Sequence, residues 1–176
     1  MLVLLYGGSA CGKSAMAEDI CVGFGGERLY IATMRPWGND AQERIARHRT
    51  LRADKGFDTL EHYQTLQTLP LSKHYNTLLL ECVGNLTANI LFEGQIPPHQ
   101  VIDEVLEGTK WLLRQVPHLV YVTNDIFSDG IAYPEETSLY QRCIAQINRE
   151  LAQLADVVVE VVCGLAIYHK GGGLLP

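Results

Sequence analysis

Apolar positions along the chain fall into short runs separated by polar, glycine-marked stretches. The runs Leu2 to Tyr6, Arg28 to Ala32, Thr77 to Leu80, Leu119 to Thr123 and Val157 to Cys163 are brief and nearly continuous. Continuity over that length suits strands covered on both faces, as in a parallel sheet. Between them, Lys13 to Val22, Ala41 to Arg52, Gly84 to Phe92, Val101 to Gln115 and Glu135 to Ala155 carry helical spacing or strong helix formers. The first of these ends at the glycines 23, 25 and 26. Phe57 to Tyr63 is ambiguous and reads as extended. Thr33 to Asp40, Gln95 to Gln100 and Phe127 to Pro134 read as loops, and Lys170-Gly-Gly-Gly as a frayed tail. The alternation predicts an α/β fold of about five or six largely parallel strands with helices on both faces. No internal repeat or low-complexity tract interrupts it.

The opening stretch, MLVLLYGGSACGKSAM, carries the most specific chemistry. A buried strand runs without a spacer into Gly7-x4-Gly12-Lys13-Ser14, the spacing of a P-loop. Glycines at 7, 8 and 12 let the backbone turn tightly and aim successive N–H groups inward, and the helix beginning near Lys13 adds the positive end of its dipole. In such a cradle Lys13 reaches the β- and γ-phosphates of a nucleoside triphosphate and the Ser14 hydroxyl sits on Mg²⁺. The fold class is therefore predicted as P-loop NTPase-like.

Glu81 follows the apolar Thr77 to Leu80 directly, placing a carboxylate at the C-terminal end of a buried strand, where it can hold Mg²⁺ directly or through water. Asn124 and Asp125 repeat that pattern after Leu119 to Thr123. Arg44, Arg47, His48 and Arg52 fall near one stripe of a helix, which serves either as a solvated face or as an anion-binding one. Trp37 suits stacking on a ring and equally suits a half-buried core position. Asn85 and Asn89 share a polar side of their helix and could bind a ligand or cap backbone.

Composition narrows the rest. The 176 residues suit one domain spanning 1–176 around a single core. A net charge of −6 with no Lys/Arg-rich run argues against a nucleic-acid partner. The chain enters a strand with no basic leader, and no apolar run approaches the roughly 20 residues of a membrane span, so the expectation is a cytoplasmic protein. Five cysteines, odd in number and without a CxxC pair, predict neither disulfides nor a zinc site. Cys11 reads as a small residue that fits the phosphate loop.

Taken together, LLYGGSACGKS at the N-terminus, LYIAT at 29–33, ERIARHRTLR at 43–52, TLE at 59–61, LLLECVGNLTANILF at 78–92, VTND at 122–125, INRELAQLAD at 147–156 and VVCGLAIYHK at 161–170 give the chain a family likeness over nearly its whole length. It resembles the bifunctional adenosylcobinamide kinase/adenosylcobinamide-phosphate guanylyltransferases of cobalamin biosynthesis. The resemblance implies a P-loop α/β fold, a homotrimer and two reactions. Adenosylcobinamide is phosphorylated by ATP or GTP, and GMP is then transferred from GTP to adenosylcobinamide phosphate through a guanylylated histidine. That histidine falls on His48, within Arg44-Ile45-Ala46-Arg47-His48. The nucleotide contacts it implies fall on Gly7, Gly8, Ser9, Ala10, Cys11, Gly12, Lys13 and Ser14, on Thr33, Met34 and Arg35, on Arg49, Thr50, Leu51 and Arg52, and on Glu61 and Glu81. Two rival readings keep the phosphate loop: an enzyme of one half-reaction only, and a non-catalytic P-loop switch protein.

Overall fold

The structure, a computed structural model, describes residues 1–94, 96–127 and 130–176, and of Asp40 the backbone only. Gln95 of the proline-containing connection, Ser128 and Asp129 of the turn-rich loop, and the Asp40 side chain lie outside the described residues.

Among the described residues the strands are β1 (Leu2–Tyr6), β2 (Arg28–Ala32), β3 (Phe57–Glu61), β4 (Thr77–Leu80), β5 (His118–Val122), β6 (Val157–Val162) and β7 (Leu165–Lys170). They form one seven-stranded sheet in the order β3-β2-β4-β5-β1-β6-β7. Every neighbouring pair is parallel except β6 and β7. The helices are α1 (Lys13–Gly23), α2 (Asn39–Arg52), α3 (Val83–Glu93), α4 (Pro98–Gln115) and α5 (Glu135–Leu154), with a short 3-10 turn at Leu66–Thr68. No helix among the described residues is long and apolar enough to cross a membrane.

Continuous apolar strands are what this arrangement needs, because successive side chains serve opposite faces. Leu2 and Leu4 of β1 join Ile31, Leu80 and Tyr121 in one core layer covered by α3, α4 and α5. Val3 and Leu5 join Tyr30, Val120 and Val159 in the other, covered by Ala17 and Cys21 of α1. Each fully buried leucine removes side-chain surface worth about 1.5–3 kcal/mol from water. By contrast, none of the described side chains of α2 belongs to either apolar layer.

The ambiguous extended segment at 57–63 is an edge strand, β3, in register with β2. The tail expected to fray is ordered otherwise. Cys163 (φ 51) and Gly164 (φ 82) make a two-residue turn with both central residues at positive φ, and β7 returns antiparallel to β6. After it, Gly171 turns back and Leu175 packs against the apolar layer beneath α1.

Since β1 to β6 are parallel, their C-terminal ends open on one edge of the sheet. Gly7, Thr33, Glu61, Glu81 and Thr123 all follow or end strands there, at the side where open α/β sheets hold ligands.

Candidate nucleotide and transfer site

The loop between β1 and α1 takes the conformation its glycines allow. Gly7 (φ 152) passes so close to β6 that a Cβ there would stand 2.5 Å from the Val161 carbonyl oxygen. Gly12 (φ 102) caps α1 in a left-handed conformation, with its missing Cβ aimed at Gly164 Cα. Gly164 in turn donates its N–H to the Cys11 carbonyl at 2.9 Å, so the β6–β7 turn buttresses the loop. Lys13 is buried, and its Nζ donates to the carbonyls of Gly7 (2.8 Å) and Gly8 (2.5 Å). Ser14, in the first turn of α1, lines the adjoining cavity with its hydroxyl uncommitted among the described residues.

That cavity has a volume of about 390 Å³ and is walled by Ser9 to Ala15, Met34, Arg44, Arg47, His48, Leu51, Glu81, Asn85, Asn124 and Asp125, among others. Lys13, Arg44 and Arg47 bring positive charge to it in a chain whose net charge is −6. A concentration of cations against the overall balance suits a polyphosphate. Of the stripe on α2 that could have been merely solvated, Arg44, Arg47 and His48 therefore share the cavity of the phosphate loop, whereas Arg52 does not line it.

At the far wall stands a polar cluster. Glu81 is 6% exposed; its Oε2 accepts the backbone N–H groups of Thr33 (2.9 Å) and Met34 (3.1 Å). Its Oε1 lies 3.3 Å from Nδ1 of His48, and the Tyr30 hydroxyl lies 3.1 Å from that same nitrogen. Burial pushes the Glu81 carboxyl up, but the hydrogen bonds from His48, Met34 and Thr33 outweigh it and hold the group below its ordinary value. The Tyr30 phenol is pushed up, by burial first and then by the Glu81 charge. Arg52 is buried with its guanidinium carbon 3.7 Å over the Tyr30 ring and its Nε 3.3 Å from Thr59 Oγ1. Tyr30, Met34, His48, Arg49, Arg52, Glu61 and Glu81 line a second, narrow cleft behind His48. His48, Met34 and Glu81 thus belong to both spaces.

The remaining expected residues are placed less uniformly. Arg49 bonds Glu61 at 3.1 Å on an exposed surface, and Tyr63 donates to the other Glu61 oxygen at 2.9 Å. Arg35 is ion-paired with Glu93 and stacks over Tyr63 and the exposed Trp37. Thr50 is exposed and turns its hydroxyl to the Ala46 carbonyl, lining neither space. Sequence reasoning missed Tyr30. The one available signal was a hydroxyl-bearing ring between the aliphatic Leu29 and Ile31, and that ring reads first as core.

As a magnesium site the residues fit unequally. Ser14 offers a free hydroxyl at the helix terminus, whereas both Glu81 oxygens are engaged by the protein. Glu81 fits behind the ion through water better than as a direct ligand.

The chain is 26% identical over 171 residues to the bifunctional adenosylcobalamin biosynthesis protein CobP of Pseudomonas aeruginosa, with 96% of each chain covered. Among solved structures it resembles an ATPase of a bacterial type III secretion system at a TM-score of 0.56, with 13% identity, over 96% of this chain and 56% of that one. It also resembles a KaiC-like protein from Pyrococcus horikoshii OT3 at a TM-score of 0.50, with 14% identity, over 90% of this chain and 71% of that one. At such identities the likeness speaks for the fold alone, that of the P-loop NTPases. Residues 3–168 match the family described as cobinamide kinase / cobinamide phosphate guanyltransferase, and the chain belongs to that family.

Proposed function

We propose that this protein carries out both reactions of its family as one domain in the cytoplasm. It phosphorylates adenosylcobinamide with ATP or GTP, then transfers GMP from GTP to adenosylcobinamide phosphate through a guanylylated His48. The observation that carries the reading is the shared cavity: His48 of α2 and the phosphate loop of α1 wall one space of about 390 Å³. A triphosphate held on the loop backbone by Lys13, Arg44 and Arg47 has its phosphates within the same enclosure as the imidazole.

In this reading Gly7 to Ser14 bind the phosphates, Met34 and Leu51 flank the nucleotide, Glu81 closes the far wall, and Arg49, Arg52 and Glu61 line the cleft behind His48. Mg²⁺ held at Ser14, with Glu81 behind it, would neutralise phosphate charge and orient the phosphoryl oxygens. Dividing GMP transfer into two displacements lets the site take GTP first and the corrinoid phosphate second. A homotrimer is part of the proposal, supported by the exposed apolar edge at β7, where Leu165 is 71% exposed.

The test is covalent labelling. GTP radiolabelled at its α-phosphate should leave label on the denatured protein, stable to alkali and lost in acid as expected of a phosphorus–nitrogen bond. His48→Asn should take up none. Label persisting in that variant would move the nucleophile elsewhere, and GTP hydrolysis without labelling would favour a switch protein.

A further inference from the structure

We propose that Glu81 is a positioning residue that fixes the tautomer of His48, keeping the proton on Nδ1 so that Nε2 is the nitrogen that attacks GTP. This rests on the reading of His48 as the guanylylated residue.

The geometry decides between the two neutral forms of the ring. Glu81 cannot turn away, because its Oε2 is held by two backbone amides, those of Thr33 and Met34. Its Oε1 is thereby presented to His48 Nδ1 at 3.3 Å. Were Nδ1 unprotonated, its lone pair would face a carboxylate oxygen, acceptor against acceptor, inside a buried pocket. With the proton on Nδ1 the contact becomes a charge-assisted hydrogen bond. The Tyr30 hydroxyl, 3.1 Å from Nδ1, does not reverse this, since a hydroxyl can accept a proton from Nδ1 as well as donate one, whereas the carboxylate can only accept. Nε2 has no partner among the described residues, and the ring lines the cavity of the phosphate loop.

The transfer balances on these atoms. The Nε2 lone pair forms a bond to the α-phosphorus of GTP, and the bond from that phosphorus to the bridging oxygen breaks, its electrons leaving with pyrophosphate. No proton need move: the ring, now bonded at Nε2 and still protonated at Nδ1, carries a positive charge that the Glu81 carboxylate balances. When an oxygen of the corrinoid phosphate attacks the same phosphorus, the nitrogen–phosphorus electrons return to Nε2 and the neutral Nδ1–H ring is restored. The Ser-His-Asp hydrolases use a carboxylate on the remote imidazole nitrogen for the same end.

Glu81→Gln tests it, because the two amides demand an oxygen acceptor. The new side chain must give them its carbonyl and offer His48 its NH₂, which forces the Nε2–H form. ¹⁵N NMR of histidine-labelled protein, free of Mg²⁺ and at a pH where the ring is neutral, should show the Nδ1–H tautomer at His48, assigned by its absence from His48→Asn. In Glu81→Gln it should show the Nε2–H tautomer. The rate of guanylylation at saturating GTP should fall about a thousandfold or more, as a wrong tautomer costs in hydrolases, with the loss in kcat rather than KM. An Nε2–H ring in the unmodified protein overturns the proposal without any variant having to fold. The same tautomer in both proteins, with activity lost through a shifted Mg²⁺ requirement, also overturns it and gives Glu81 to the ion. Failure of the underlying reading appears separately, as label that never depends on His48.

Discussion

At the scale of single residues, the two groups that matter most are buried charges whose neighbours are backbone. Lys13 lies among carbonyls of its own loop, and a phosphate offers that ammonium a stronger partner than Gly7 or Gly8 does. Lys13→Ala should weaken GTP binding by about 100-fold or more, since a charge-assisted contact is worth a few kcal/mol; isothermal titration that finds unchanged affinity would count against the phosphate-loop assignment. Glu81 makes a prediction about acid. Its folded carboxyl sits below its ordinary value because donors from His48, Met34 and Thr33 outweigh burial. The stabilising contribution is therefore complete above the unfolded value of about 4.3 and is lost as pH falls through the lower folded value. Melting temperatures across that acid window should fall more steeply for the unmodified protein than for Glu81→Gln, and parallel curves would contradict it.

At the scale of elements, α2 is the exception to an otherwise apolar assembly. It carries His48, the proposed nucleophile, and its described residues contribute nothing to either core layer, so its end is held by polar ties instead. Arg52 rests on Tyr30, and Lys55, just beyond the helix, reaches Glu18 (2.9 Å) and Asp19 (2.8 Å) on α1. The Glu18 side chain is 1% exposed, so removing its cation leaves a buried, uncompensated carboxylate. Lys55→Ala should cost about 3–5 kcal/mol, readable by urea denaturation. Lys73→Ala, which breaks ion pairs of Glu27 and Asp58 that are largely solvent-exposed, should leave the midpoint nearly unchanged. Equal effects from the two would mean that burial is not what separates them. The β6–β7 hairpin is an element that sequence reading lost by running the strand through Cys163 and assigning no second strand before the tail at Lys170. The signal was present in two apolar runs flanking Cys163-Gly164, but a turn with positive φ at a cysteine is uncommon, and glycine alone marks too many ends.

At the scale of the molecule, the sheet is closed on neither side. One edge, β3, is polar and partly covered, whereas β7, which among the described residues pairs with β6 alone, exposes Leu165, Ile167 and Tyr168, next to the exposed Val162 at the end of β6. An apolar edge strand with free backbone groups favours association unless something covers it. Light scattering should give a particle of about three times the 19.6 kDa chain mass. Charged substitutions at Leu165 and Ile167 should reduce it to one chain. A monomer at micromolar concentration before substitution would remove the trimer from the proposal.

The sequence by itself determined what depends on neighbours along the chain. Strand, glycine loop and helix at Leu2 to Met16 are contiguous, so the phosphate cradle could be read directly, and the buried strands announced themselves by runs apolar at every position. The family likeness likewise came from short strings in order. Only the tertiary structure decided which atoms meet. Glu81, Tyr30 and His48 sit on β4's end, β2 and α2, separated in sequence by up to 51 residues, and converge because β2 and β4 are neighbours in the sheet while α2 folds over their ends. Strand order is set by how faces pack and crossovers run, quantities that no local pattern encodes. For that reason a carboxylate legible in sequence as a metal ligand is held in the fold by two amides and a histidine.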